Sequence, residues 1–143
     1  MNWNDFERIF NDCELVGNKI LIKSNLLEVI KFVTAEYPYN MLKQIIATDT
    51  GDGVELIYHL YSIDDEEDLF ISIVVNDEVD SVTEIFDSAI ADENEIYDLF
   101  GIKFINNKYL KRLYMPEDWE GFPLRKDYIE SDTRLAWNDE NEF

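Results

Sequence analysis

The chain has 143 residues, 32 acidic side chains against 12 basic ones, one histidine and one cysteine, and a formal net charge of −20. Its length suits one domain able to bury a core without a disulfide or metal, and its 46% hydrophobic and 14% aromatic content is too high for an acidic disordered chain. The charge repels nucleic acid and anionic membrane as direct partners, and a lone cysteine forms neither an internal disulfide nor a thiol cluster for zinc or iron–sulfur.

The N-terminus reads Met-Asn-Trp-Asn-Asp, without the basic and apolar regions of a signal peptide. Trp3, Phe6, Ile9 and Phe10 recur at helical spacing and predict an amphipathic helix over 3–12. Gly17 leads into a strand at 19–23, with Ile20 and Ile22 on one face. Asn25 with Glu28 reads as a capping box for a helix whose buried stripe is Leu26, Val29, Ile30 and Val33, stopping before Pro38. Residues 41–49 and 54–61 read as strands joined by the hairpin turn Thr50-Gly51-Asp52-Gly53. An acidic loop, 64–68, precedes a strand at Leu69–Val75, the longest apolar run and far short of the ~20 residues a membrane helix needs.

Ser81 followed by Glu84 predicts a second capping box, with Val82, Ile85, Phe86 and Ala89 as the stripe of its helix. A further short helix is predicted over 93–100, closed by Gly101 as a left-handed cap. Residues 102–128 mix aromatics, cations and two prolines without steady periodicity, and 129–143 read as a polar, acidic tail. The expected fold is therefore α+β, a two-layer sandwich: a small, mainly antiparallel sheet with helices on one face, plus an extended C-terminal arm. Its parts are an α+β domain over 1–104, an arm over 105–128 and a tail over 129–143.

The charge is unevenly placed. Residues 1–43, 44–102, 103–126 and 127–143 carry −1, −17, +3 and −5, and the second segment has no lysine or arginine. Charge runs are usually solvated faces, but a sign change of this size also suits a docking surface that steers a partner. The sequence lacks the glycine-rich phosphate loops and the zinc-protease and serine-hydrolase signatures. His59 is expected to be a packed or edge residue of a strand and Cys13 a buried thiol. Asp64–Asp68 lacks the spacing of a calcium loop.

Three pieces after Ala91 stand out: Glu93–Phe104, Leu110–Leu113 and Asp118–Tyr128. Gly121 and Pro123 prevent a long helix in the last, which interleaves Trp119, Phe122, Leu124 and Tyr128 with Arg125, Lys126 and Asp127. Aromatics and arginine are enriched in interface cores, so this arm suits a surface laid along another subunit, or one folded back on its own domain.

These pieces resemble the signature of the thirty-kilodalton subunit family of respiratory complex I (NADH:quinone oxidoreductase), which includes the matching subunit of energy-converting membrane-bound [NiFe] hydrogenases. Glu93 and Glu95 match the family's acidic pair, Asp98 its acid, Leu99 and Phe100 its apolar pair, Lys111 its basic position and Leu113 its aliphatic. The family's Asp-Trp-x-Gly-x-Pro-Leu-Arg-Lys-Asp-Tyr is matched in full by 118–128. Tyr58-His59-Leu60 with Ser62, and Ser81-Val82 leading to Ile85-Phe86, extend the likeness over roughly 44–128. Four positions depart from it: Asn94 for arginine, Asn107 for histidine or lysine, Ala91 for tryptophan and Phe122 for histidine. These departures and the short chain lean toward a divergent, hydrogenase-type branch.

The resemblance implies a non-catalytic subunit that binds no cofactor itself. It implies contact with the large catalytic subunit and the small iron–sulfur subunit, in a complex whose other chains hold iron–sulfur clusters and, in hydrogenases, NiFe. The implied place is the cytoplasmic side of the cell membrane, peripheral to it, with no direct membrane insertion. The expected subunit interface is Glu93, Glu95, Asp98, Arg112, Asp118, Trp119, Gly121, Pro123, Leu124, Arg125, Lys126, Asp127 and Tyr128. Trp119 and Leu124 would anchor it, with Arg112, Arg125 and Lys126 pairing across it. The acids of 93–98 would otherwise bind the arm's own basic groups. The competing readings are a free-standing acidic decoy that binds a basic partner and a small hydrolase using paired carboxylates.

Overall fold

A computed structural model describes residues 3–128. In chain order the elements are α1 (Trp3–Ile9), β1 (Cys13–Val16), β2 (Lys19–Ile22), α2 (Leu26–Glu36), β3 (Met41–Asp49), β4 (Val54–Ser62), β5 (Glu67–Val75), β6 (Glu78–Asp80), α3 (Ala89–Phe100) and β7 (Lys103–Ile105). The main sheet runs β1-β2-β5-β4-β3, antiparallel except where β2 lies parallel to β5. A second, two-stranded sheet pairs β6 and β7 in parallel. The expected tail, 129–143, lies outside the described residues.

The period-two pattern of β4 decides the layering. Val54, Leu56, Tyr58, Leu60 and Ser62 are buried, and the residues between them are half-exposed. Register aligns Ile20, Ile71, Tyr58 and Ile45 in one row across the sheet. Phe6 of α1, the Leu26–Val33 stripe of α2, and Ile96 and Phe100 of α3 join that face in one core. Each fully buried aliphatic side chain contributes about 1.5–3 kcal/mol, so this single layer supplies most of the driving force.

The turns follow the sequence. Thr50 N–H donates to Gly53 O at 2.9 Å, and Gly51 takes φ 92°. Helix α2 ends at Glu36, and its C-cap Tyr37 has the extended backbone that suits the residue before Pro38.

Several expectations are corrected. Asn25 precedes α2 in the left-handed region (φ 61°) and makes no side-chain cap bond, so it is no capping box. Residues 81–88 form turns instead of a helix. Ser81 Oγ bonds Glu93, while Glu84 pairs with Lys31 at 2.9 Å. The helix predicted over 93–100 starts four residues earlier, at Ala89. Strands β1, β6 and β7 were not anticipated, and α1 stops at Ile9. Gly101 does cap α3, with φ 78° and its N–H on Tyr97 O at 2.9 Å.

Candidate functional site

Beyond Ile105 the described chain has no helix or strand. It is held by side chains of α3 and by the end of β3. Glu93 sits on the buried face of α3 at 0% exposure. Its carboxylate accepts from Ser81 Oγ at 2.6 Å, Val82 N–H at 2.9 Å and Asn107 Nδ2 at 3.1 Å. Burial pushes its pKa up, and those three donors pull the other way.

One turn and a half further along, Asp98 is also fully buried. Its Oδ2 accepts three successive backbone N–H groups, from Leu113 at 3.2 Å, Tyr114 at 2.5 Å and Met115 at 3.0 Å. Its Oδ1 faces Arg112 Nη1 at 3.3 Å. Consecutive N–H groups around one carboxylate, with a guanidinium beside it, make an anion nest. Arg112 also donates to Gly121 O at 2.8 Å and stands 4.9 Å from the centre of the Phe122 ring. Asn94 Oδ1 accepts Lys111 N–H at 3.3 Å.

A second clamp holds the far end of the arm. Asp49, the last residue of β3, accepts Lys126 N–H at 2.8 Å and lies 3.2 Å from Arg125 Nε. The Lys126 and Gly51 N–H groups and the Arg125 charge keep its carboxyl below the ordinary range. Between the clamps, Leu124 N–H donates to Leu99 O at 2.9 Å. The Phe122 ring stands on Gly101, where a Cβ would come within 2.5 Å of it. A cleft of about 360 Å³ opens here, bordered by Asp77, Phe100, Gly101, Gly121, Phe122 and Arg125 among others.

The expected interface residues therefore divide. Glu93, Asp98, Arg112 and Arg125 make contacts within the chain. Trp119, Pro123 and Tyr128 are half-buried, and Gly121 takes φ 83° against the Tyr128 ring. Glu95, Asp118, Leu124, Lys126 and Asp127 are exposed. Sequence reasoning missed Tyr109 and Tyr114, which are among the most exposed large side chains described, and missed Asp49 as a clamp. It noted Asn94 and Asn107 as departures, and both turn out to hold the arm.

The other candidates stay structural. His59 Nε2 lies 2.7 Å from Asp68, and the imidazole stacks on Phe70. Cys13 is half-buried and not the buried thiol expected; its Sγ donates to Phe10 O at 2.8 Å, and its partial burial raises its pKa, which disfavours the thiolate. Among the described residues no group of three or more His, Cys, Asp or Glu side chains is placed to hold a metal ion, and no helix is long and apolar enough to cross a membrane.

Comparison with known proteins gives a consistent set. The sequence model of the family described as respiratory-chain NADH dehydrogenase, 30 Kd subunit, matches residues 20–134. The chain is 34% identical over 132 residues to the C subunit of NADH-quinone oxidoreductase from Citrifermentans bemidjiense, covering 86% of this chain and 82% of that one. It is 40% identical over 117 residues to the J subunit of the chloroplastic NAD(P)H-quinone oxidoreductase from Dioscorea elephantipes, covering 76% and 74%. A chain in the structure of the membrane-bound sulfane sulfur reductase, an archaeal respiratory membrane complex, shares the fold. Its TM-score is 0.75 at 20% identity, over 97% of this chain and 88% of that one.

Proposed function

Because the chain belongs to the family of the 30-kilodalton subunit of respiratory-chain NADH dehydrogenase, we propose that it is a non-catalytic peripheral subunit of a membrane-bound, complex I-like oxidoreductase. In this reading the arm over 105–128 docks on the large catalytic subunit and supports assembly, with the small iron–sulfur subunit nearby. Redox centres then belong to the other chains, and the protein sits against the cytoplasmic face of the membrane through its complex.

The observation that carries the reading is the state of the arm. Beyond Ile105 it has no helix or strand, yet Glu93 holds Asn107 near its start, Asp98 grips its middle and Asp49 holds its far end. It nevertheless leaves Tyr109, Leu113, Tyr114 and Leu124 largely in water. A segment held in one shape with its large apolar groups outward has little to gain alone and much to gain against a partner. The acidic-decoy reading has only the net charge behind it, and paired-carboxylate hydrolysis gains no free pair from Glu93 and Asp98, which are both engaged within the chain.

The relatives' names support a quinone-reducing complex, and the four departures from the family signature support the hydrogenase-type branch. Mass spectrometry of the co-purified chains separates the two. Docking itself is tested by the double variant Tyr114→Ala with Leu124→Ala, which is expected to keep its circular dichroism and melting transition but to be lost from the purified complex. A folded variant that stays bound removes the arm as the docking element.

A further inference from the structure

We propose that the docking face is the lysine-framed aromatic surface formed by Tyr109, Leu113 and Tyr114 with Lys103, Lys108 and Lys111. Its occupant is a partner-subunit surface with an apolar floor and a rim of carboxylates. The inference rests on the arm docking proposed above and adds the chemistry of the surface that receives it.

The two kinds of cation in this segment behave differently. Arg112 and Arg125 pair within the chain, with Asp98 and Asp49. Lys103, Lys108 and Lys111 are exposed and make no ion pair among the described residues. Lys108 and Lys111 flank Tyr109 in the chain, and Lys103 lies on β7 just before the arm. Tyr109, Leu113 and Tyr114 are 61%, 44% and 63% exposed. Exposed lysines this near in sequence to exposed aromatics are unexpected on a protein of net charge −20, where seventeen acids crowd residues 44–102 without a single lysine or arginine. Charge complementarity then selects a carboxylate-rimmed partner, and the acidic body discourages approach from any other side.

The backbone under Leu113 and Tyr114 is presented in a fixed shape. The backbone N–H groups of Leu113, Tyr114 and Met115 are all tied to one buried carboxylate, so little ordering entropy is lost on docking. Arg112 is thus a positioning residue, and the contact belongs to the tyrosines and lysines.

The test compares two variants of the full chain in the native complex. One is the triple reversal Lys103→Glu, Lys108→Glu, Lys111→Glu, and the other is Tyr109→Ala with Tyr114→Ala. Retention on the complex is measured from about 50 mM to about 500 mM salt, across which exposed charge pairs are progressively screened. The aromatic variant is expected to be lost at every salt concentration. The wild type is expected to weaken as salt rises, and the triple reversal to bind about tenfold or more weaker at low salt and to recover as salt screens the new repulsion between carboxylates. If the aromatic variant is released but the triple reversal binds like wild type with an unchanged salt response, the carboxylate rim is wrong while arm docking stands. If neither is released, both readings fall. If the isolated wild-type chain elutes as a dimer that the triple reversal dissolves, the occupant is a second copy and the proposal is overturned.

Discussion

The Asp98 carboxylate lies 3.3 Å from the Arg112 guanidinium fourteen residues further along the chain, and the two side chains are 0% and 9% exposed. A pair this deep is weak evidence of net stabilisation as a unit, but removing one partner strands the other. Asp98→Ala is expected to cost about 3–5 kcal/mol, because three backbone N–H groups and a guanidinium lose their acceptor together. Limited proteolysis should then cut first within 106–121, before the sheet. Arg112→Lys should cost less and is expected to leave those three N–H bonds in place.

The Asp49 clamp should open with acid. Its carboxyl titrates below the ordinary value of 3.8, chiefly because the Lys126 N–H bonds the ionised form. A depressed folded value contributes stability that is present above the unfolded pKa and lost as pH falls through the lower folded one. The Lys126 amide is therefore expected to stay protected from hydrogen exchange near neutrality and to lose protection as pH falls below about 4. Asp49→Asn should flatten that profile. An unchanged profile in the variant would mean that other groups hold this end.

Gly101 combines two constraints, a left-handed backbone and the Phe122 ring against its Cα. Gly101→Ala is expected to cost about 1–2 kcal/mol for the backbone alone, plus the displacement of the ring. Combining it with Phe122→Ala should remove the second part and leave the first. Chemical denaturation of the four proteins in this cycle measures both.

Tyr58 is fully buried and its hydroxyl has no hydrogen-bond partner among the described residues. Burial pushes its pKa well above the ordinary value, so it stays neutral. A buried donor without an acceptor costs about 1–3 kcal/mol, and Tyr58→Phe is expected to raise the urea midpoint. A lowered midpoint would show that the hydroxyl bonds a trapped water.

Much of this architecture was legible in the sequence for a local reason. The β3–β4 hairpin rests on strict alternation and a glycine turn, and the α2 stripe on helical spacing within one segment. What was misread depended on distant partners. Ser81 looked like a helix cap because Glu84 stands three residues on, but Glu93, twelve residues on, takes its hydroxyl. Arg125 looked free for a partner because nothing nearby in sequence announces Asp49 as its mate. Strands β6 and β7, three residues each, are too short to show a period and exist because they pair with one another. The exposure of Tyr114 follows from Asp98 gripping its backbone, which no periodicity encodes.

Zero-length carbodiimide cross-linking of the intact complex, read by mass spectrometry, tests the central claim most directly, because it joins a lysine only to a carboxylate in contact with it. Arm docking through the lysine-framed face onto a carboxylate-rimmed surface expects links from Lys108 and Lys111 to aspartate or glutamate residues of the large catalytic subunit. An intact complex in which these lysines stay unlinked, while links to that subunit come only from elsewhere on the chain, would contradict it.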